Sequence, residues 1–166
     1  MSKNFINELR WRGLLQDVIL GCEEKLLENP ISGYIGFDPT ADSLHIGSLV
    51  QILILMHFQN SGHQPIVLIG GATGMIGDPS GKSSERNLLT KDELEKNIRG
   101  IKSQLSKFLN FDSKEKNSAV IFDNNDWFKN INLIDFIRDI GKHLTVNYMV
   151  AKDSVKKRLS KESSEG

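Results

Sequence analysis

The sequence predicts the α/β class, a parallel sheet with helices on both faces. Three observations predict it. Short runs rich in β-branched and aromatic residues alternate with longer segments of helical periodicity. A strand–helix–strand order of this kind is met by parallel pairing through crossover helices. Two of the strand runs lead into long polar or glycine-rich stretches, and open parallel sheets bind ligands at the carboxyl ends of their strands.

Each element has its own signal. Residues 4–28 carry Phe5, Leu9, Trp11, Leu14, Leu15, Val18, Ile19 and Leu26 at helical spacing, with interruptions at Gly13 and Gly21, so one or two helices are expected. Asn29 and Pro30 stop them. Residues 33–37 read as a strand, 38–43 as a polar turn, and 44–60 as a helix buried on most sides. Residues 64–69 form a second, buried strand, and 70–84 a glycine-rich loop. Thr90 and Glu93 make a capping box for a helix whose apolar stripe is Leu94, Ile98, Ile101, Leu105 and Phe108. A third strand is expected at 119–122. Helices follow at 131–140 and 145–159, the last with a basic end at Lys156, Lys157 and Arg158.

Composition bounds the function. With 166 residues, the chain suits one domain or slightly more. Lys plus Arg is 21 and Asp plus Glu is 21, which excludes a strongly basic nucleic-acid module and an acidic disordered tail. No apolar run reaches the length of a membrane span, and the first twelve residues lack the apolar core of a secretory signal. A single cysteine, Cys22, excludes an intrachain disulfide framework and a Cys-cluster zinc site. A cytoplasmic location is the expectation. The zero balance conceals a gradient: residues 1–81 hold 4 basic against 8 acidic residues, net −4, leaving net +4 for residues 82–166. A solvated lysine-rich helix surface accounts for it, and so does a basic face for phosphates.

The two strand-end stretches carry the chemistry. The first, residues 37–48, sets Asp38, Thr40, Asp42, Ser43 and His45 before a helix, where backbone N–H groups attract phosphate. Gly47 has no side chain, so a flat ring could approach the backbone there. An ordinary turn, with Asp42 or Ser43 as helix cap, fits the same residues. The second, residues 70–86, holds Gly81-Lys82-Ser83 but is no P-loop, because position 76 is Ile where that motif needs glycine. A dinucleotide fingerprint fails as well, since no two glycines of the chain lie two residues apart. Lys82 and Arg86 are placed to fold over phosphates, or are two solvated cations.

Residues 34–48, Tyr-Ile-Gly-Phe-Asp-Pro-Thr-Ala-Asp-Ser-Leu-His-Ile-Gly-Ser, resemble the HIGH-type signature of class I aminoacyl-tRNA synthetases in its tyrosyl-tRNA synthetase form. Residues 70–82 with Ser84, Glu85 and Arg86 are similar to that family's second block, and residues 146–155 to a third. The resemblance implies a Rossmann-like nucleotide-binding fold. It implies ATP-dependent activation of L-tyrosine to tyrosyl-adenylate, then transfer to tRNA(Tyr), with Mg²⁺ arriving on ATP and no dedicated metal site. By that match, Thr40, His45, Lys82 and Arg86 are the catalytic set. Tyr34, Thr73, Asp78 and Asn124 surround tyrosine, with Trp127 a looser match beside them. Gly36, Asp38, Gly47, Ser48 and Gln51 line the nucleotide site. Lys152 and Asp153 lie near the tRNA acceptor stem, and a homodimer through residues 132–159 is implied.

Ser48, Ile35 and Gln51 depart from the pattern near the expected ATP ring, which implies adjusted ATP affinity. The family's second, lysine-rich signature and its anticodon-binding region are not in these residues. The chain therefore resembles the N-terminal half of a catalytic domain, expected to be inactive alone. Its divisions are a helical segment at 1–32, the catalytic half-domain at 33–159 and a polar tail at 160–166. The alternatives are the related tryptophanyl enzyme and a non-catalytic binding module derived from a synthetase.

Overall fold

A computed structural model of the chain describes residues 4–76, 89–152 and 155–156. Three strands, β1 (Ser32–Phe37), β2 (Gln64–Ile69) and β3 (Val120–Asp123), lie side by side in the order β1-β2-β3. Both pairings are parallel. Consecutive parallel strands need crossover connections, and helices supply them. α3 (Leu49–Asn60) joins β1 to β2. The β2-to-β3 crossover contains α4 (Gly71–Ile76) and α5 (Lys91–Leu105).

The register fixes the two faces. Tyr34, Ile66 and Val120 are lateral neighbours, as are Gly36, Leu68 and Phe122. Alternation puts Ile35, Val67 and Ile121, with Phe37 and Ile69, on the opposite face. That second face is the core. Phe37, Val67 and Ile69 pack with Ile52 and Leu55 of α3, with Ile101 and Leu105 of α5, and with Leu109 and Ala119. Among the described residues the first face is not covered in this way: Tyr34 is 70% and Phe122 48% exposed. The parallel sheet expected from the sequence is present, with one face sealed by α3 and α5.

The amino-terminal segment forms α1 (Phe5–Trp11) and α2 (Cys22–Glu28). Gly13 and Gly21 break it with left-handed φ of 68° and 82°, a region that favours glycine. α1 docks on α3 through Phe5, whose ring meets Phe58 edge-on at 5.1 Å. Phe58 in turn stacks on the buried His63 at 4.6 Å. Burial holds the His63 imidazole below its ordinary pKa. Cys22, the first residue of α2, is exposed.

The expected capping box is present: the Glu93 amide donates to Thr90 Oγ1, and the Thr90 amide donates to Glu93 Oε2. Those hydroxyl and backbone donors hold the Glu93 carboxyl below the usual range. Leu94, Ile101 and Leu105 are buried as predicted, whereas Phe108 lies beyond the helix end and is 36% exposed.

Five expectations are corrected. The helix predicted from residue 44 begins at Leu49, after a 3-10 turn at Ile46–Ser48; Ile52, Leu55 and Phe58 are buried, and only Val50, Gln51 and Asn60 are exposed. The glycine-rich loop begins as a helix, α4, not as coil. The third strand lies one residue later than predicted, and a short α6 (Asn125–Phe128) follows it. The helix expected at 131–140 is α7 (Leu133–Asp139). A second 3-10 turn, Gly141–His143, leads to α8 (Val146–Val150), which is capped at Ala151 and so is much shorter than the helix expected at 145–159. Lys157, Arg158 and the tail lie outside the described residues.

Candidate active site

The carboxyl ends of the three strands converge on a polar cluster. The ladder between β1 and β2 runs one bond past the strands, with the Gly70 amide donating to the Phe37 carbonyl at 3.0 Å. The chain then turns into α4. A helix containing Gly71 and Gly74 has weak intrinsic propensity, so its first turn depends on outside partners. β3 supplies them. Asp123 Oδ1 accepts from the amides of Gly71 (3.2 Å) and Asn125 (2.9 Å). The buried Asn124 accepts from the Ala72 amide at 2.7 Å through Oδ1.

The same residues build a chain of side chains across the sheet. Asn124 Nδ2 donates to Thr73 Oγ1 at 3.4 Å, and the Thr73 hydroxyl lies 3.1 Å from the Gly70 carbonyl and 3.4 Å from Asp38 Oδ1. Asp38, Thr73 and Asn124 thus come together from the ends of β1, β2 and β3. Gly70 is needed at their centre: a Cβ there would overlap Thr73 Oγ1 and the Asp38 carboxylate. A Cβ on Gly71 would likewise overlap Asp123. Asp123 was not singled out in the sequence; the available signal was a carboxylate ending a strand run, beside Asn124.

The turn after β1 carries the other candidates. Pro39 is fully buried, whereas Thr40 is exposed, its amide donating to the Asp38 carbonyl at 2.9 Å. Neither Asp42 nor Ser43 caps the helix that follows. His45 does: its Nδ1 accepts from the Gly47 amide at 2.9 Å. An Nδ1 that accepts places the proton of the neutral ring on Nε2. A Cβ on Gly47 would stand 2.6 Å from His45 Cε1, so glycine lets the imidazole lie over the turn. Ser48 heads α3 without a side-chain cap bond, and Gln51 is exposed one turn into α3.

The remaining predicted residues divide clearly. Tyr34 and Gly36 share the uncovered face of β1, and a Cβ on Gly36 would meet open space. Ile35 points to the covered face and packs against the core, opposite Tyr34 and Gly36. Trp127, on α6, is 44% exposed and so is not a core residue. Lys152 is exposed with its ammonium 4.4 Å above the Tyr148 ring. Asp78, Lys82, Arg86 and Asp153 lie outside the described residues. No group of three or more His, Cys, Asp or Glu among the described residues could hold a metal ion. A cleft of about 550 Å³ lies beside this cluster, between α4, α5 and α6. It takes Gly71, Ala72 and Met75 from α4 but neither Thr73 nor Asn124, so it is not where the predicted residues meet.

What the arrangement offers is hydrogen-bond donors and carboxylates gathered at strand ends. A family profile described as tRNA synthetases class I (W and Y) matches residues 26–165. The chain belongs to that family. This class I chain is 63% identical over 160 residues to a tyrosine–tRNA ligase of Flavobacterium johnsoniae, covering 96% of itself and 37% of that protein. It is 58% identical over 163 residues to a tyrosine–tRNA ligase of Bacteroides thetaiotaomicron, covering 98% and 38%. A crystal structure of a C-terminally truncated mitochondrial tyrosyl-tRNA synthetase from Aspergillus nidulans superposes with a TM-score of 0.78 at 28% identity. That match covers 99% of this chain and 49% of the other. The chain thus spans a little over a third of the curated relatives named here. No helix among the described residues is long and apolar enough to cross a membrane.

Proposed function

We propose that this chain is the nucleotide-binding part of a tyrosine–tRNA ligase. The observation that carries the reading is the meeting of Asp38, Thr73 and Asn124 at three adjacent strand ends, beside a turn capped by His45. In the first step a tyrosine carboxylate oxygen attacks the α-phosphorus of ATP. A P–O bond forms, the bond to pyrophosphate breaks, and pyrophosphate leaves. In the second, a ribose hydroxyl of the terminal adenosine of tRNA(Tyr) attacks the adenylate carbonyl and AMP leaves. Neither step needs an enzyme nucleophile. The protein's task is to position the reactants and to stabilise developing phosphate charge.

The residues suit that task. Thr40 and His45 face the far phosphates, and the Nε2 proton left by the Gly47 bond is the donor His45 offers to a phosphate oxygen. Lys82 and Arg86 approach the pyrophosphate. Gly36 and Asp38 line the adenylate cleft, with Gly47, Ser48 and Gln51 beside the nucleotide. Mg²⁺ is held by the phosphates of ATP, as no cage of protein oxygens is needed. Thr73 and Asp78 surround the tyrosine ammonium group, Asn124 stands behind them in the tyrosine pocket, and Tyr34 meets the phenol. Lys152 and Asp153 lie along the tRNA acceptor stem. A second copy docks on α7 and α8, whose Leu133, Ile134, Ile137 and Val146 are more than half exposed. The protein works in the cytoplasm, where its tRNA is.

Tyrosine is favoured over tryptophan because the relatives named above are tyrosine–tRNA ligases. The test is ATP–pyrophosphate exchange by the full-length gene product. Exchange driven by tyrosine and not by tryptophan is expected. Exchange driven by tryptophan, or none with either, refutes the reading.

A further inference from the structure

Helix α5 contributes nothing to the strand-end cluster, yet one of its faces grips the turn that carries Thr40 and His45. Asn97, Gly100 and Gln104 are spaced by three and four residues and so share that face. Asn97 is buried and donates its Nδ2 to the Pro39 carbonyl at 3.0 Å. Gln104 holds Leu44 at both ends: Oε1 accepts from the Leu44 amide at 2.7 Å, and Nε2 donates to the Leu44 carbonyl at 3.2 Å. Between them Gly100 lies directly against the Asp42 carbonyl, which a Cβ would overlap. Lys96 adds an exposed ion pair to Asp42 at 3.4 Å, of the kind that contributes little.

Three points of one turn, Pro39, Asp42 and Leu44, are therefore fixed from a helix more than fifty residues away in sequence. Thr40 directly follows the first point and His45 directly follows the last. We propose that Asn97, Gly100 and Gln104 are positioning residues for the reaction, setting where Thr40 and His45 present their donors to the phosphates of ATP. This rests on the assignment of those two residues to phosphate. A turn that must stabilise charge arising only in the transition state cannot reorganise at that moment without loss of rate. Displacement by about 1 Å costs up to roughly a hundredfold. Thr73 and Asn124, assigned to the tyrosine pocket, bond to each other and Asn124 to α4, with no hydrogen bond to Asn97 or Gln104, so α5 should govern the phosphate end of the site and not the amino-acid end.

The test is steady-state ATP–pyrophosphate exchange by the full-length gene product and its variants Gly100→Ala, Gln104→Met and Gln104→Glu. Arg99→Gln, an exposed position on α5 that contacts Glu95, is the control. His45→Ala reports on the assignment of the turn. The expected result is a loss in kcat of about tenfold or more in Gly100→Ala and Gln104→Met, with KM for tyrosine within twofold of the parent. Combining Gln104→Met with His45→Ala should add less than Gln104→Met costs alone, because Gln104 fixes the residue directly before His45. Gln104 is only half-buried, so its variants decide the matter if Gly100→Ala does not fold. If His45→Ala loses exchange while the Gln104 variants keep theirs, the proposal is overturned and the function stands. If KM for tyrosine rises in step with the loss of kcat, α5 has a merely structural role and the proposal is again overturned. If His45→Ala keeps full exchange, the assignment of the turn fails and the proposal fails with it.

Discussion

Gly47→Ala separates stability from chemistry. The added Cβ would stand 2.6 Å from His45 Cε1 and 2.9 Å from Nδ1. Ordinary contact begins near 3.4 Å, so the imidazole must withdraw by roughly 0.8 Å and its bond from the Gly47 amide is lost. The cost in stability is small. The site is exposed, so the freed amide finds water and the loss is up to about 1 kcal/mol. Gly47 is not among the glycines of positive φ, so alanine fits the backbone and recovers roughly 0.4–1 kcal/mol by narrowing the unfolded ensemble. The melting temperature should therefore stay close to the parent. Catalysis should not. A donor displaced by most of an ångström costs roughly ten- to a hundredfold in kcat for pyrophosphate exchange. A double-mutant cycle with His45→Ala supplies the decisive number. If Gly47 acts through His45, the double variant is little worse than His45→Ala alone. Fully additive losses would show that Gly47 serves something else, such as an approaching ring, and would refute this account of the turn.

Three further outcomes follow from the packing. Leu105→Ala, at a fully buried position of the core, should cost about 3 kcal/mol in urea unfolding, against under about 1 kcal/mol for Phe108→Ala one turn later at 36% exposure. Asn124→Ala leaves the Ala72 amide without its acceptor, so about 2 kcal/mol is lost and that amide exchanges hydrogen faster, while Asn124→Asp keeps the acceptor and the protection. His63 has its pKa lowered by burial, so the unfolded chain binds its proton more readily than the folded one. Stability should fall as pH drops below 6.5 and level off beneath the lowered folded pKa. His63→Phe, which keeps a ring on Phe58, should shrink the difference in melting temperature between pH 7.5 and 5.5; an unchanged difference would discount His63.

What the sequence revealed was what it encodes locally. The capping box at Thr90 and the bounds of β2 were readable because their signals lie within a few adjacent residues. α4 was not readable. Its glycines argue against a helix, and it forms because Asp123 and Asn124, about fifty residues on, satisfy its first amides. The start of α3 was misplaced for a related reason. Leu44 is apolar and fits a helical stripe, yet its backbone is already held at both ends by Gln104. His45 then caps the turn through its own ring, which no preference scale for caps would select. The candidate residues themselves were legible only because residues 34–48 resemble a known signature; the residues alone favoured a plain turn and helix cap.

The two ends of the site differ in how far the described residues complete them. The turn proposed to meet phosphate is built: Pro39 is buried, three backbone points are fixed from α5, and His45 has one ring nitrogen committed. The phenol end is not. A site rejects phenylalanine strongly only when its hydrogen-bonding groups are desolvated, so that the missing hydroxyl leaves them unpaired. Tyr34 is 70% exposed on the uncovered sheet face, where water would satisfy it whichever amino acid bound. Ile66, Leu68, Val120 and Phe122 flank it on that face and give it an apolar surround to be sealed. If Tyr34 meets the phenol as proposed, discrimination between tyrosine and phenylalanine requires this face to be desolvated, whereas the turn proposed to meet phosphate charge is already fixed in place. Variants in α5 should alter the rate of adenylate formation and leave amino-acid choice intact, and variants on the uncovered face should do the reverse.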